Sequence, residues 1–231
     1  MDVYEKALCD FYTKSDKEEE PLWIYNTYGE PEEMPVEIFF RDEEDMSPIE
    51  LLALKSCKGT ILDIGAGVGS HALLLQDFFA DITVLEISKE ACSIMKDRGV
   101  EKIINQDFYA YEEQKFDTLL LLMNGIGLCS NLAGLSTFLD HAQHLLSKDG
   151  SLIFDSSDIT YLYDDGDFPA NQYYGEISYQ YKYKGQYGNW FQWLYIDQHT
   201  LREIAEPKGW KVTIILEEYD QYLAVLSHHP V

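Results

Sequence analysis

Between residues 59 and 155 the chain alternates short, unbroken runs of Ile, Leu and Val with amphipathic helical segments. Few architectures accept that rhythm. Strands that are apolar at every residue, rather than at every second one, are buried on both faces, as in a parallel sheet covered by helices. The runs fall at 59–64, 81–87, 102–106, 117–123 and 151–155. Helices are predicted over 70–79, from the capping Ser88 to Arg98 with Gly99 ending it, and over 132–146 up to Asp149-Gly150. A last pair, 211–216 with 221–227, follows a short helix at 200–205.

Two segments depart from the rhythm. Residues 1–58 read as an N-terminal cap: an amphipathic helix over 3–14, then a proline-punctuated stretch over 21–48, expected to be irregular with one helical turn near 36–40. Ser47, Pro48 and Glu50 then open a further helix in the pattern of a capping box. The second departure is an insertion over 161–195, inside a domain spanning 59–231. It holds nine of the seventeen tyrosines, and its polar/aromatic alternation around Lys184-Gly185 predicts antiparallel strands. The 231 residues suit one domain carrying such an insertion.

Charge narrows the function. Seventeen basic against forty-one acidic residues leave −24, which repels a phosphate backbone and an anionic membrane surface alike. Residues 1–50 hold sixteen acids against four bases, including the Lys17–Glu20 cluster, and read as a solvated acidic cap. Cys9, Cys57, Cys92 and Cys129 are scattered, without metal-ligand spacing, so free thiols in a reducing compartment are expected and no metal. The first residues do not form a secretory signal and no apolar run reaches the ~20 residues of a membrane span. A cytoplasmic protein is expected.

The sharpest motif is Leu62-Asp63-Ile64-Gly65-Ala66-Gly67-Val68-Gly69. Glycines between a strand and a helix let backbone approach a ligand, and the helix start offers unpaired N–H groups. Asp63 lies at the carboxyl end of a buried strand, beside the crevice where such folds bind ligands. Glu86 ends the second strand and suits a pair of ribose hydroxyls; Asp107 follows the third and suits an adenine amino group. A dinucleotide fingerprint prefers its third glycine one place later than Gly69, and a carboxylate before the turn repels pyrophosphate. An ammonium welcomes it.

On these residues the chain, from about Gly59 to its C-terminus, resembles the class I S-adenosylmethionine-dependent methyltransferases. The resemblance implies an α/β, Rossmann-like, seven-stranded and mostly parallel sheet whose last strand is antiparallel. It implies S-adenosyl-L-methionine over the carboxyl ends of the first strands. Asp63 then orders the glycine turn, Gly65, Ala66 and Gly67 line the methionine and ribose, and Glu86 binds the ribose. Ile87 packs on the adenine, with Asp107 and Phe108 at its border. Asn124 stands where base-modifying relatives carry a Pro-Pro-aromatic motif that is missing here, and Cys129 has no proline before it, so a buried thiol fits better than a nucleophile. Arg41 is a candidate for the cofactor carboxylate, with a local ion pair as its simpler reading.

A small-molecule acceptor follows, methylated by in-line displacement. Asp155 and Asp158, beyond the fifth strand, and His199, near the insertion, are the candidates for orienting the acceptor or taking its proton. The plainer readings are that Asp155 caps a turn and Asp158 is solvated. His71 reads as a packed or capping residue, His141 and His144 as surface residues, and His228 and His229 as tail. The tyrosine-rich insertion is a substrate lid, a dimer hairpin or an added β layer, in a monomer or homodimer, and its rings suit an apolar or cationic acceptor. The alternatives are a non-catalytic interaction protein on the same fold, or a nicotinamide-dependent oxidoreductase.

Overall fold

Seven strands lie side by side in the computed structural model, which describes residues 1–13, 20–79, 81–163 and 166–228. The 17–19 part of the acidic cluster and His229 lie outside those residues. The sheet runs β11 (Trp210–Glu218), β12 (Gln221–His228), β7 (Leu146–Ser157), β6 (Phe116–Leu121), β3 (Ile61–Ile64), β4 (Ile82–Glu86), β5 (Ile103–Asn105). β3, β4, β5, β6 and β7 pair in parallel, and β12 enters antiparallel between β11 and β7. This is the mostly parallel α/β sheet that the apolar runs predict. Every residue of β3 and β4 is buried, because helices cover both faces.

The covering helices obey local rules. Ser47 accepts the Glu50 amide while Glu50 reaches back to the Ser47 amide, so α2 (Pro48–Ser56) opens on a complete capping box. Ser88 caps α4 (Lys89–Arg98), and Gly99, at φ 102°, ends it in the left-handed conformation that suits glycine. Asn131 caps α5 (Leu132–Leu145). One apolar cluster fills the space between the sheet and α5, with Phe116, Phe138, Phe154 and Tyr222 at its centre. A second lies under α2, α3 (Ser70–Gln76) and α4.

The stretch over 21–48, expected to be irregular, contains two strands. β1 (Leu22–Asn26) and β2 (Glu32–Met34) pair with each other, and β1 also pairs with β8 (Glu176–Tyr183) of the insertion. β10 (Phe191–Leu194) flanks β8 on its other side, and β9 (Gln186–Tyr187) closes a hairpin with it. The acidic cap and the aromatic insertion therefore form one antiparallel sheet, ordered β10-β8-β1-β2. The physical reason β1 escapes a local reading is its partner: Trp23 pairs with Lys182, far along the chain. The predicted helical turn is present over Val36–Phe39, and α1 (Val3–Thr13) packs Ala7 and Leu8 against Val68 and Ile94.

The antiparallel sheet has two unlike faces. Ile177, Tyr179 and Tyr181 point inward from β8, Phe191 and Trp193 from β10 and Ile24 from β1, as the two-residue strand period and the register require. Tyr181 stacks on Tyr4 of α1 at 5.2 Å and meets Phe191 at 5.1 Å. Lys182 points away, over the rings of Tyr25 and Tyr187.

All four cysteines are free, and three are buried. Among the described residues no group of three or more His, Cys, Asp or Glu is placed to hold a metal ion, and no helix is long and apolar enough to cross a membrane.

Candidate active site

The carboxyl ends of β3, β4, β5 and β6 open into a cavity of about 790 Å³, whose outer wall is the inward face of the antiparallel sheet together with Tyr4 of α1. The inner wall begins at the glycine turn. Gly65 and Gly67 take φ of +69° and +57°, and a methyl group added at either would meet nothing within 4 Å. Their backbone is thus both left-handed and bare toward the cavity, two conditions only glycine meets without strain. Gly69 serves differently: an added methyl would press on Val100 and Met95, so it is glycine for helix packing.

Acids surround the turn. Glu86 accepts the Gly67 amide at 2.9 Å through Oε2 and the Ser88 amide at 2.8 Å through Oε1, which fixes the turn to the end of β4. Burial raises its carboxyl despite those donors. Asp63 is 2 % exposed, and its Oδ2 has no hydrogen-bond partner in the protein. Burial pushes its carboxyl up to about 6, with nearby His71 opposing and Glu86 adding to the rise. A buried carboxylate oxygen without a donor is costly, and one beside an open cavity marks the place for a cationic donor. Farther along the wall, Ile87 is 68 % exposed, Asp107 accepts the Tyr109 amide at 2.8 Å, and Phe108 stacks on Phe138 at 4.7 Å. Ile87 and Phe108 thus give this end of the cavity an apolar lining, which suits a flat group.

Beyond β6 the backbone is strained where it borders the cavity. Met123 and Asn124 both have positive φ, at 58° and 53°. The Asn124 amide is held by both oxygens of Asp155, at 3.1 and 2.9 Å, its side-chain nitrogen donates to the Leu194 carbonyl, and its side-chain oxygen accepts from Ser156. Asn124 therefore lines the cavity while joining the parallel sheet to β10.

The structure gathers Asp63, Gly65, Ala66, Gly67, Glu86, Ile87, Asp107, Phe108 and Asn124 around this one cavity. It does not bring four other expected residues to its lining. Arg41 turns to Glu50, at 2.5 and 3.0 Å, and to the Ile38 carbonyl at 2.7 Å. The ion-pair partner is a buried carboxylate on α2, and the adjacent acidic run contributes only the Asp45 backbone carbonyl, at 3.3 Å. Asp155 is spent on the Asn124 amide, and burial pushes its carboxyl up to about 6. Asp158 accepts the Thr160 amide and the Tyr174 hydroxyl. His199 lies on the outer face of α6 (Gln198–Ala205), 81 % exposed and beside Glu203.

The histidine that does line the cavity is His71, at the start of α3. It is 8 % exposed, and its Nε2 lies 2.8 Å from Glu50 Oε1. Burial alone would raise Glu50, but hydrogen bonds from His71, Arg41 and the Ser47 amide outweigh it and hold its carboxyl at about 2. An ionised carboxylate only accepts, so Nε2 carries a hydrogen, and whenever the ring is neutral Nδ1 holds the lone pair. His71 was legible only as a packed residue, because Glu50 is twenty-one positions away and on another helix. His141 also departs from a surface reading: it is half-buried, donates to the Tyr111 carbonyl at 3.0 Å and lies edge-on to Phe108 at 4.8 Å. His144 is exposed as expected. The Cys129 thiol is buried, which pushes its pKa well up and suits packing.

A family described as "Methyltransferase domain" matches residues 40–214. The chain is 37% identical to an S-adenosylmethionine-dependent methyltransferase from Bacteroides fragilis, solved in complex with S-adenosyl-L-homocysteine, with a TM-score of 0.88 over 97% of this chain and 94% of that one. A sugar N-methyltransferase from Streptoalloteichus shares the fold at 14% identity and a TM-score of 0.60, covering 89% and 97% of the two chains. An amino pentose methyltransferase from Micromonospora echinaspora does so at 12% and 0.59, covering 80% and 93%. Among curated proteins nothing matches the chain.

Proposed function

This chain belongs to the S-adenosylmethionine-dependent methyltransferases, and from that premise we propose that the cavity holds S-adenosyl-L-methionine at the glycine turn and a small-molecule acceptor under the aromatic wall. The observation that carries this reading is the orphaned Oδ2 of Asp63 beside two glycines that open onto the cavity. The cofactor's methionine end bears an ammonium, the donor that oxygen lacks. Glu86 takes the ribose hydroxyls, and Ile87, Asp107 and Phe108 take the adenine.

Bound there, the cofactor supplies a methyl group on a sulfonium. The protein's share is alignment, and holding two reactants in line can supply ~7–11 kcal/mol of a barrier. The strained Met123-Asn124 bend and the lid rings fix the acceptor's approach and keep water out. Where the acceptor must lose a proton, His71 is the residue we assign to take it, at Nδ1, with Glu50 and Arg41 as positioning residues. Asp155, Asp158 and His199 lose that role because their side chains are engaged elsewhere or face outward. The test is calorimetry with S-adenosyl-L-homocysteine: binding in the micromolar range, lost in Gly67→Val, supports the reading. Binding of a nicotinamide dinucleotide in its place would replace it.

A further inference from the structure

The lining of the cavity is unusual in its charge. Among the described residues no lysine or arginine contributes to it, whereas Asp2, Asp63, Glu86 and Asp107 do. Arg41, the base expected at the cofactor carboxylate, is engaged by Glu50, and Lys182 points away from the cavity, on the outer face of the antiparallel sheet. A carboxylate or phosphate entering this space would find no cation to pair with and a chain of net charge −24 repelling it.

The outer wall is made largely of aromatic rings. Tyr4, Tyr181, Phe191 and Trp193 form a continuous series with centroids 5.1–6.3 Å apart. Their order is enforced: Trp193 packs so closely on Gly127 that any side chain there would collide with the indole. A cation over such faces is attracted by the ring quadrupole, more so where water is excluded. Behind them the hydroxyls of Tyr28, Tyr179 and Tyr195 touch in sequence, at 3.5 and 3.1 Å. Burial raises all three phenols, so they are neutral hydroxyls that give and accept hydrogen bonds and bring no charge of their own.

We propose that the methyl acceptor is a small amine with an apolar body, drawn in as its ammonium and held against the ring faces of Tyr181, Phe191 and Trp193. This rests on the methyltransferase reading of the cavity and adds the substrate class to it. The proton that an ammonium must shed before its nitrogen can attack has a taker in the same cavity, His71 Nδ1.

Three probes of one shape separate the charges: 2-phenylethylamine, 2-phenylethanol and 3-phenylpropanoate. Their affinities are measured by calorimetry on the full chain, with and without saturating S-adenosyl-L-homocysteine. The expected order is amine, then alcohol, then carboxylate, with the amine at least tenfold tighter than the carboxylate and weakened by added salt. Trp193→Leu is expected to weaken the amine about fivefold or more and the alcohol by less, while homocysteine affinity holds. An alcohol or carboxylate that binds as tightly as the amine overturns the proposal, and so does a protein that binds S-adenosyl-L-homocysteine but none of the three. Failure to bind S-adenosyl-L-homocysteine would instead count against the cofactor reading, and the order of the three probes on the free protein still stands or falls separately.

Discussion

The two sheets of this protein solve opposite problems. The seven-stranded sheet buries aliphatic strands on both faces and exposes chemistry only where its strands end, at Asp63, Glu86 and Asn124. The antiparallel sheet has one working face, and its chemistry lies along the whole length of that face as rings. The first borders the cavity mostly with backbone: two bare glycines, two amides donated to Glu86, a strained bend. The second borders it with side chains that a strand period of two places in one layer. Changes at the parallel sheet's ends should therefore strike the cofactor, and changes in the lid should strike the acceptor.

The sharpest test of that division is Gly67→Val. Its side chain would fill the space now open beside the turn, in a left-handed conformation that valine resists, and homocysteine affinity is expected to fall more than a hundredfold while circular dichroism stays native. A folded variant with unchanged affinity would mean the turn serves only the strand-to-helix geometry. Glu86→Ala comes next, with an expected loss of about 2–3 kcal/mol. A hydrogen bond to a charged group is worth ~1.5–3 kcal/mol, water replaces part of what the ribose hydroxyls lose, and the Gly67 amide loses its brace.

Acidity offers a third test. The carboxyl of Asp63 sits at about 6 in the free protein, and a bound ammonium favours its ionised form. Binding below pH 6 must therefore release a proton, so affinity for S-adenosyl-L-homocysteine is expected to rise about fivefold from pH 5 to 6 and about twofold more by pH 7, then level off. Asp63→Asn should flatten that rise. The same group also bears on stability. Its pKa is raised on folding, so its stabilising contribution is present below its unfolded value and is lost as pH climbs through 6; the Asn variant should melt with a smaller decline over that interval. Calorimetry and thermal melts at matched ionic strength read both.

The smallest expected effect is the one that protects the comparison. Trp193→Leu should leave homocysteine affinity within about threefold, ~0.7 kcal/mol, since the glycine turn and its acids belong to the other sheet. A larger loss would show that the lid's order is needed for the cofactor half as well. A single substitution suits this test better than removal of residues 174–190, which would take out β8, the strand that β1 and β10 both pair with.

The sequence was legible where structure is local. Ile61–Ile64, Ile82–Glu86 and the capping Ser47 and Ser88 announce their elements through neighbours a few residues away, and the glycine turn announces its ligand edge. The lid was legible only in halves. Leu22–Asn26 is rich in strand formers, yet the flanking Pro21 and Pro31 and its acidic surroundings obscure it, and its partner Tyr179–Lys182 carries no mark of the pairing. The same limit hid His71, whose meaning depends on Glu50, and misplaced Arg41, whose ion-pair partner is Glu50 and not the acids beside it in sequence.

The pairing of β1 with β8 also sets a timetable. A chain made from its N-terminus presents Leu22–Asn26 long before Glu176–Tyr183 exists, and at ~5–20 residues per second the wait is roughly 8–30 s. During it, an edge bearing Trp23, Ile24 and Tyr25 has β2 on one side and nothing native on the other, the condition under which strands find foreign partners. The acids crowded into the first fifty residues travel with that edge. Like charges repel, so the acids that share the first fifty residues with that edge oppose its pairing with a second copy of itself.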